Sequence, residues 1–554
     1  MPGRGRRKLP AKLAPADPGE PFRLSQPAIQ RPKKPGTFQS LSQAFTSWRT
    51  ASVTLMSFAS GMPLGLIWVA IPDWMRKSGV DIRVVGLFTL AQAPWTFKFL
   101  WSPLMDRYVP PLGRRRGWAF IAQMALFIGV LCLAGLGDHP QTPWVVGALA
   151  LAMAFAGATQ DIAIDAYAVD VLRPEEQAVA AGARNALWRL GYQLAGSISI
   201  WLAGLWGWQT VNVFLALLYL PMLVVLWKAP NPAAEAVAPR TLKEAVWYPF
   251  LGFLSRHRAL EILAFVLLYK IADNLVQALQ RPFLIDKGYS DFDRGFVLFV
   301  IGLVVNVVGT FIGGLLTTPL GLGRALWVFG IIQIFANAGY AILAHQPGPD
   351  RPMMWAAFGF ETLASSLASG AFLVLLMRMT QKRFSATQYA LFSSLFGLPR
   401  IVSGPICGFL VHAIGWEAFF WSTLPTGIPG LILLARFVPF TAREPEFRVE
   451  PPRLGAPLTT AQLAWRGLAG GAVGLSFGAF TVALMSALEA AKKGGGFDLL
   501  TPLAALAHPQ GNSGWLTLLG LAIFAAVCGL ITAAIAAAHH GAGRNLEEDL
   551  SPEV

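Results

Sequence analysis

The chain has 554 residues, of which 55% are hydrophobic and 13% charged, about half the charged fraction of soluble domains, and its mean hydropathy is +0.52. That composition excludes a soluble enzyme or soluble binding module as the bulk of the chain and predicts an all-α polytopic membrane protein. The net charge of +14 sits mainly in a basic tail and in loops, which favours anionic lipid headgroups and leaves nucleic acid without support.

Residues 1–48 are basic and proline-rich, with no apolar signal-peptide core, and read as a disordered cytoplasmic tail. Apolar runs at 50–71, 84–101, 118–136, 144–168, 182–206 and 211–227 then form a first six-helix bundle, 49–228. A charged, proline-containing stretch, 229–259, reads as a cytoplasmic linker. A second six-helix bundle, 260–438, follows with spans at 260–284, 295–317, 325–344, 354–377, 389–412 and 416–437. After a linker at 439–463, two further spans, 465–488 and 515–538, occupy 464–539, and 540–554 is a cytoplasmic tail. The expected architecture is therefore a 6+6 core plus two C-terminal helices, about fourteen spans in all. The extra pair is read as peripheral, or as a dimer contact. Cys132, Cys407 and Cys528 lie inside apolar runs without paired spacing, and the histidines lack metal-ligand spacing, so neither a disulfide nor a metal site is expected. Lys and Arg concentrate in the loops that would be cytoplasmic, strongest at Gly113, Arg114, Arg115 and Arg116, which puts both termini inside.

Polar residues within spans are costly, roughly 2.5–3.5 kcal/mol for an aspartate, and mark function. Asp161 and Asp165 in the fourth span lie one turn apart on one helix face. Two carboxylates so close in low dielectric do not ionise together readily, so one can carry a proton, and they are the first candidates for proton coupling. Asp161 is the deeper; Asp165 is read equally as a gate residue pairing with Arg114–Arg116 or Arg184. On the fifth span Trp188, Arg189, Tyr192 and Gln193 are substrate-binding candidates, with Arg189 expected to meet an anionic substrate group or a fourth-span aspartate. Arg184 and Lys98, near span ends, are read as interfacial anchors.

The seventh span carries Tyr269, Lys270, Asp273, Asn274, Gln277, Gln280 and Arg281. Lys270, Asn274, Gln277 and Arg281 form one polar stripe at helical spacing, suited to lining a water-filled path; the alternative is a Lys270–Asp273 ion pair that stiffens the helix. Tyr269, Lys270, Asn274 and Gln277 are therefore further substrate-binding candidates, and Asp273 a further coupling candidate. Glu361 in the tenth span is either a coupling residue or the salt-bridge partner of Arg400 in the eleventh, itself otherwise a substrate contact.

Two six-span halves joined by a charged linker are the layout of the major facilitator fold. The segment Ser102–Arg107 followed by Gly113–Arg116 resembles the facilitator loop signature, which implies a cytoplasmic gate of Asp106, Arg107, Arg114, Arg115 and Arg116. FASGMPLGL from Phe58, FKFLWSPLMDRY from Phe97, GRRRGW from Gly113 and ATQDIAIDAYAVDVL from Ala158 are similar to the AmpG-type muropeptide permeases, in the peptide/acetyl-CoA transporter branch of that superfamily. The resemblance implies a bacterial inner-membrane permease importing GlcNAc-anhydro-MurNAc, with or without stem peptide, by proton symport. It implies cell-wall recycling with consequences for β-lactamase induction, and needs no cofactor beyond the proton gradient. It adds Gln160 to the substrate contacts and gives Gly61, Pro63 and Gly65 a bending role in the first helix. A monomer handling a small glycopeptide among membrane lipids is the expected state. An acetyl-CoA or small-peptide carrier is the runner-up; a membrane-embedded enzyme or a sensor would be a different class.

Overall fold

The computed structural model describes residues 46–78, 91, 93–137, 143–232, 238–445, 447, 458–492, 496–509 and 511–540, and all the extended elements among them are helices. Helix α1 (Trp48–Gly65) passes through a π-turn (Leu66–Ala70) into α2 (Ile71–Lys77). Then come α3 (Ala93–Phe97), a 3-10 turn (Lys98–Leu100), α4 (Ser102–Arg107), α5 (Arg114–Gly135), α6 (Pro143–Val171) and α7 (Pro174–Gln193). A second π-turn (Leu194–Ile198) leads to α8 (Ser199–Leu217) and α9 (Tyr219–Lys228). Between the halves lies α10 (Leu242–Leu254). The second half comprises α11 (Ala259–Leu268), α12 (Ile271–Asp286), α13 (Asp291–Phe296), α14 (Gly302–Leu320), α15 (Leu322–Ala336), α16 (Ala338–His345), α17 (Arg351–Met379), α18 (Ser385–Thr426) and α19 (Ile428–Phe437). Helices α20 (Thr460–Lys492), α21 (Leu500–Ala507) and α22 (Gly511–His539) complete the order.

The two halves turn at matching places. Gly113 (φ 96) precedes α5 and Gly321 (φ 83) precedes α15; α8 doubles back at Gly207 (φ 77) and α18 at Gly415 (φ 78). Each pair is separated by the same number of residues, and these φ values are ones that glycine alone adopts without strain. The halves are thus parallel repeats, and they meet where α7 packs on α14 and α17, and α18 on α4 and α6.

Ten stretches among the described residues are long and apolar enough to cross a membrane, against about fourteen expected. The difference has local causes. The expected span 84–101 lies partly outside the described residues. The expected span 260–284 is interrupted at Tyr269–Lys270 and loaded with polar side chains. Pro174–Lys228 counts as one stretch although it turns back at Gly207, and of the expected span 389–412 only the end falls within a stretch, Leu410–Phe437.

In this structure the first-helix glycines permit close packing. Pro63 sits inside an unbroken α1, while a Cβ on Gly61 would lie 2.0 Å from the Trp188 carbonyl oxygen and one on Gly65 2.0 Å from that of Tyr192. The backbones of α1 and α7 touch here. The expected linker is likewise more than a tether: Thr241 caps α10 by accepting from the Glu244 amide. Phe250, Phe253 and Leu254 of α10 are buried in one cluster with Met105, Tyr389, and Ala534 and Ala538 of α22. Helices α20 and α22 pack on each other through small residues, Gly474 against Cys528 and Gly467 against Gly529. The other side of α20 exposes Trp465, Val473 and Phe477, as a lipid-facing surface does. Cys132, expected to be buried, is exposed.

A leucine at Gly65 has no room at the α1–α7 contact. Gly65→Leu is expected to destabilise the protein by about 3 kcal/mol or more, as overpacking against backbone does, whereas Gly204→Leu, where a Cβ meets nothing, should leave unfolding in detergent unchanged; equal melting of both variants would refute the close contact.

Candidate transport site and its latch

Asp161 and Asp165 project from α6 into a ring of partners drawn from three other segments. Lys98, at the start of the 3-10 turn after α3, places Nζ 2.5 Å from Asp161 Oδ2 and 3.6 Å from Asp165 Oδ2. Ser60 of α1 donates to Asp161 Oδ1 at 2.8 Å. Arg184 of α7 donates to Asp165 Oδ1 at 2.5 Å and, through Nε, to Ser57 Oγ at 3.1 Å. Two cations and two carboxylates thus form a neutral, largely buried tetrad, the arrangement that makes buried charge tolerable. Lys98 is 4% exposed and is a structural counter-ion rather than an interfacial anchor. Arg184, also read as an anchor, makes the contact with a fourth-span aspartate that was one of the two expected of Arg189.

Near the tetrad, Gln160 is fully buried with neither amide atom hydrogen-bonded. Trp188 and Tyr192 stack on each other, centroids 5.7 Å apart, and Gln193 accepts from Ser197. A polar seam then crosses between halves: Asn185 Nδ2 donates to Thr310 Oγ1 at 3.0 Å, and Asn306 Nδ2 to Ser366 Oγ at 2.8 Å.

In the second half the helix break between α11 and α12 frees Lys270 to make four contacts. Its Nζ lies 2.5 Å from Asp273 Oδ2 and donates to Gln333 Oε1, the Ser365 carbonyl and Ser365 Oγ at 3.1, 2.8 and 2.9 Å. The ion-pair reading of Lys270 and Asp273 therefore describes this conformation, and the ammonium has no donor left for cargo. Tyr269 is 2% exposed, donates to the Leu326 carbonyl at 2.8 Å and stacks on Phe372. In this state it packs against Phe372 and holds the Leu326 carbonyl. Gln277 and Gln280 each donate to Glu361 at 3.3 Å, and Gln280 also to Tyr340 Oη at 2.8 Å. Asn274 leaves Nδ2 buried without a partner. The side chains of Arg281 and Arg400 lie outside the described residues, and the expected Glu361–Arg400 pair with them.

One end of the molecule is clasped shut by Arg115. Its Nη2 lies 2.5 Å from Asp106 Oδ1 and 2.7 Å from Ser385 Oγ, and its Nε 2.9 Å from Asp170 Oδ2. Asp106 also accepts from the Thr387 amide and hydroxyl at 2.9 and 2.5 Å, at the N-terminal turn of α18, where the helix dipole favours an anion. Arg114 donates to the carbonyls of Lys382 and Arg383, both at 3.1 Å. These contacts join the halves. Arg116 instead ties α5 to the first half through the Leu226 carbonyl, Asn231 Oδ1 and the Trp227 carbonyl. Arg107 lies over the Tyr108 ring, and of the five expected gate residues Asp106, Arg114 and Arg115 make the cross-half contacts given above. Asp170, Ser385 and Thr387 belong to it although none stood out in the sequence; the Ser-Ala-Thr run opening α18 is the one visible cue.

Residues 53–404 match the Major Facilitator Superfamily. Over 395 residues the chain is 39% identical to the anhydromuropeptide permease of Escherichia coli, covering 70% of this chain and 80% of that protein. It is 28% identical to a putative AmpG transporter of Rickettsia felis, covering 71% and 97%. Among solved structures, the proton:xylose symporter XylE superposes with a TM-score of 0.54 at 13% identity over 73% of this chain and 98% of that one, and a bacterial ferroportin homologue in an outward-facing state with 0.51 at 14% over 70% and 98%. Two repeated helical halves clasped at one end are thus those of a major facilitator superfamily transporter, a multi-pass membrane protein and not an enzyme. Within that superfamily the chain belongs to the AmpG-type permease family.

The tetrad makes a quantitative demand. Lys98→Met and Asp161→Asn each strand buried charge and should each cost about 3 kcal/mol, while the double variant should cost clearly less than the sum; additive losses in a detergent unfolding cycle would mean the two groups do not interact.

Proposed function

We propose that this protein imports anhydromuropeptides, a GlcNAc-anhydro-MurNAc disaccharide with or without stem peptide, from periplasm to cytoplasm, driven by proton symport. The observation that carries this reading is the 39% identity to the Escherichia coli anhydromuropeptide permease along four-fifths of that protein. The geometry supports it. With the Arg114–Arg116 end cytoplasmic, as the positive-inside bias requires, the clasp described above closes the cytoplasmic side and the cargo site faces the periplasm. Both termini are then cytoplasmic, in the bacterial inner membrane, and the imported fragments return to cell-wall synthesis. Where such fragments govern a β-lactamase regulator, the same uptake feeds induction.

The cargo carries sugar faces, amides and carboxylates. Gln160, with two unpartnered amide atoms, and the stacked Trp188–Tyr192 pair suit the first two. Arg189 and Arg400 are the cations we assign to carboxylates, with Gln193, Asn274 and Gln277 as neutral contacts. Lys270 and Tyr269 join them only in a conformation that releases their present bonds. The coupling proton binds one of the buried carboxylates Asp161, Asp165, Asp273 or Glu361.

Uptake of radiolabelled anhydromuropeptide into proteoliposomes should rise about tenfold or more when the outside is made acid by one to two pH units, since each unit is worth 1.36 kcal/mol per proton. Uptake that ignores the gradient would end the coupling claim, and no uptake at all would end the importer claim.

A further inference from the structure

Resting on the proton-coupled reading above, we propose that Glu361 is the group that binds the transported proton, and that Asp161 and Asp165 are fixed counter-ions. The argument is a balance of buried charge. In the first half Asp161 and Asp165 face Lys98 and Arg184, two against two, with contacts of 2.5 Å on each side. In the second half Lys270 faces Asp273 at 2.5 Å and spends its other hydrogens on Gln333 and Ser365. Among the described side chains around Lys270, Glu361, 2% exposed on α17, is the carboxylate left over.

Its surroundings fit a group that is neutral part of the time. Glu361 is held by uncharged donors at long range: Gln277 and Gln280 of α12 at 3.3 Å and Thr362 at 3.4 Å, beyond the usual 2.7–3.2 Å. From α16 comes the Tyr340 hydroxyl, held by Gln280, and from α15 Gln333, bound to Lys270. Among the described side chains of α12 the charged neighbours are Lys270 and Asp273, while Arg281 on that helix and Arg400 on α18 lie outside the described side chains; α14 presents Asn306 to Ser366, further along α17; α6 places Asp161 and Asp165 in the tetrad and Asp170 on Arg115, and α7 places Arg184 in the tetrad and Glu176 on Arg49 and also carries Glu175 and Arg189. Asp273 adds a like charge to the region. An amide can donate to the carboxylate or accept from the acid after rotating, so Gln277 and Gln280 can serve both forms. A proton arriving from the periplasm makes the O–H of the acid and breaks no other covalent bond; it leaves as a proton to the cytoplasm.

Two proteoliposome assays separate the possibilities: accumulation of radiolabelled anhydromuropeptide under an imposed pH gradient, and gradient-free exchange measured from pH 5 to 8. Glu361→Gln, which mimics the acid, should lose accumulation by about tenfold or more and leave exchange that is flat with pH. Asp161→Asn should lose accumulation and exchange together, with lowered thermal stability. Accumulation retained in Glu361→Gln, or exchange keeping its wild-type pH dependence, would overturn the assignment. So would loss of exchange in a variant melting like wild type, since Glu361 would then hold cargo. If Glu361→Gln does not fold, Glu361→Asp retains a carboxyl and must still accumulate cargo; uncoupled transport by it would overturn the assignment as well. A wild-type protein indifferent to the gradient is a separate outcome, which removes the coupled reading and the assignment with it.

Discussion

Asp106 has no solvent exposure and is held by Arg115 on one side and the first turn of α18 on the other. Much at that end follows from this arrangement. Arg115 in turn needs Asp170, so the contact draws together α4, α5, α6 and α18, from both halves. A buried carboxylate of this kind costs several kcal/mol if a partner is lost, and opening the clasped end means separating Asp106 from α18. The clasped end therefore has Asp106, Arg115 and Asp170 mutually paired, and separating the halves there must supply water or other partners in place of those lost.

The buried charges divide by purpose. The tetrad around Asp161 and Asp165 is balanced within the first half, while its polar fringe, Asn185 with Thr310, reaches across to the second. Among the described side chains the Lys270 cluster is balanced apart from Glu361, and it spans α12, α15 and α17. A transporter needs both kinds of group: paired charges that fix helices in register, and a site whose charge can change without collapse of its neighbours. The close backbone contact of α1 and α7 brings Ser57, Ser60 and Arg184 together beside Asp161 and Asp165.

Much of this was legible in the sequence, and what was not has physical causes. Hydropathy gave the helices and the all-α class, because lipid enforces them. The Asp161–Asp165 pair and the seventh-helix stripe were conspicuous because polar residues in apolar runs are rare. Their partners were not. Lys98 sits near the end of an apolar run, where an interfacial anchor and a buried counter-ion look alike, and Arg184 and Arg189 differ by little more than one turn. Tyr269 shares a polar neighbourhood with Lys270 yet points into the packing with Phe372. Asp170, Ser385 and Thr387 needed tertiary knowledge, since their role depends on the distance between halves that no local pattern encodes. The close approach of α7 to Gly61 and Gly65 depends on a neighbouring backbone that no local pattern encodes.

The central claim, that the Asp106–Arg115 contact holds the two halves together at the Arg114–Arg116 end, is open to direct measurement. Spin labels at the exposed positions Val109 and Lys382, in a background lacking Cys132, Cys407 and Cys528, report the separation of the halves by double electron–electron resonance. Wild type in nanodiscs should give one narrow, short distance, and Asp106→Asn should add a population longer by about 10 Å, as expected of a rigid-body rearrangement of helical halves. An unchanged distance distribution in Asp106→Asn would contradict the account.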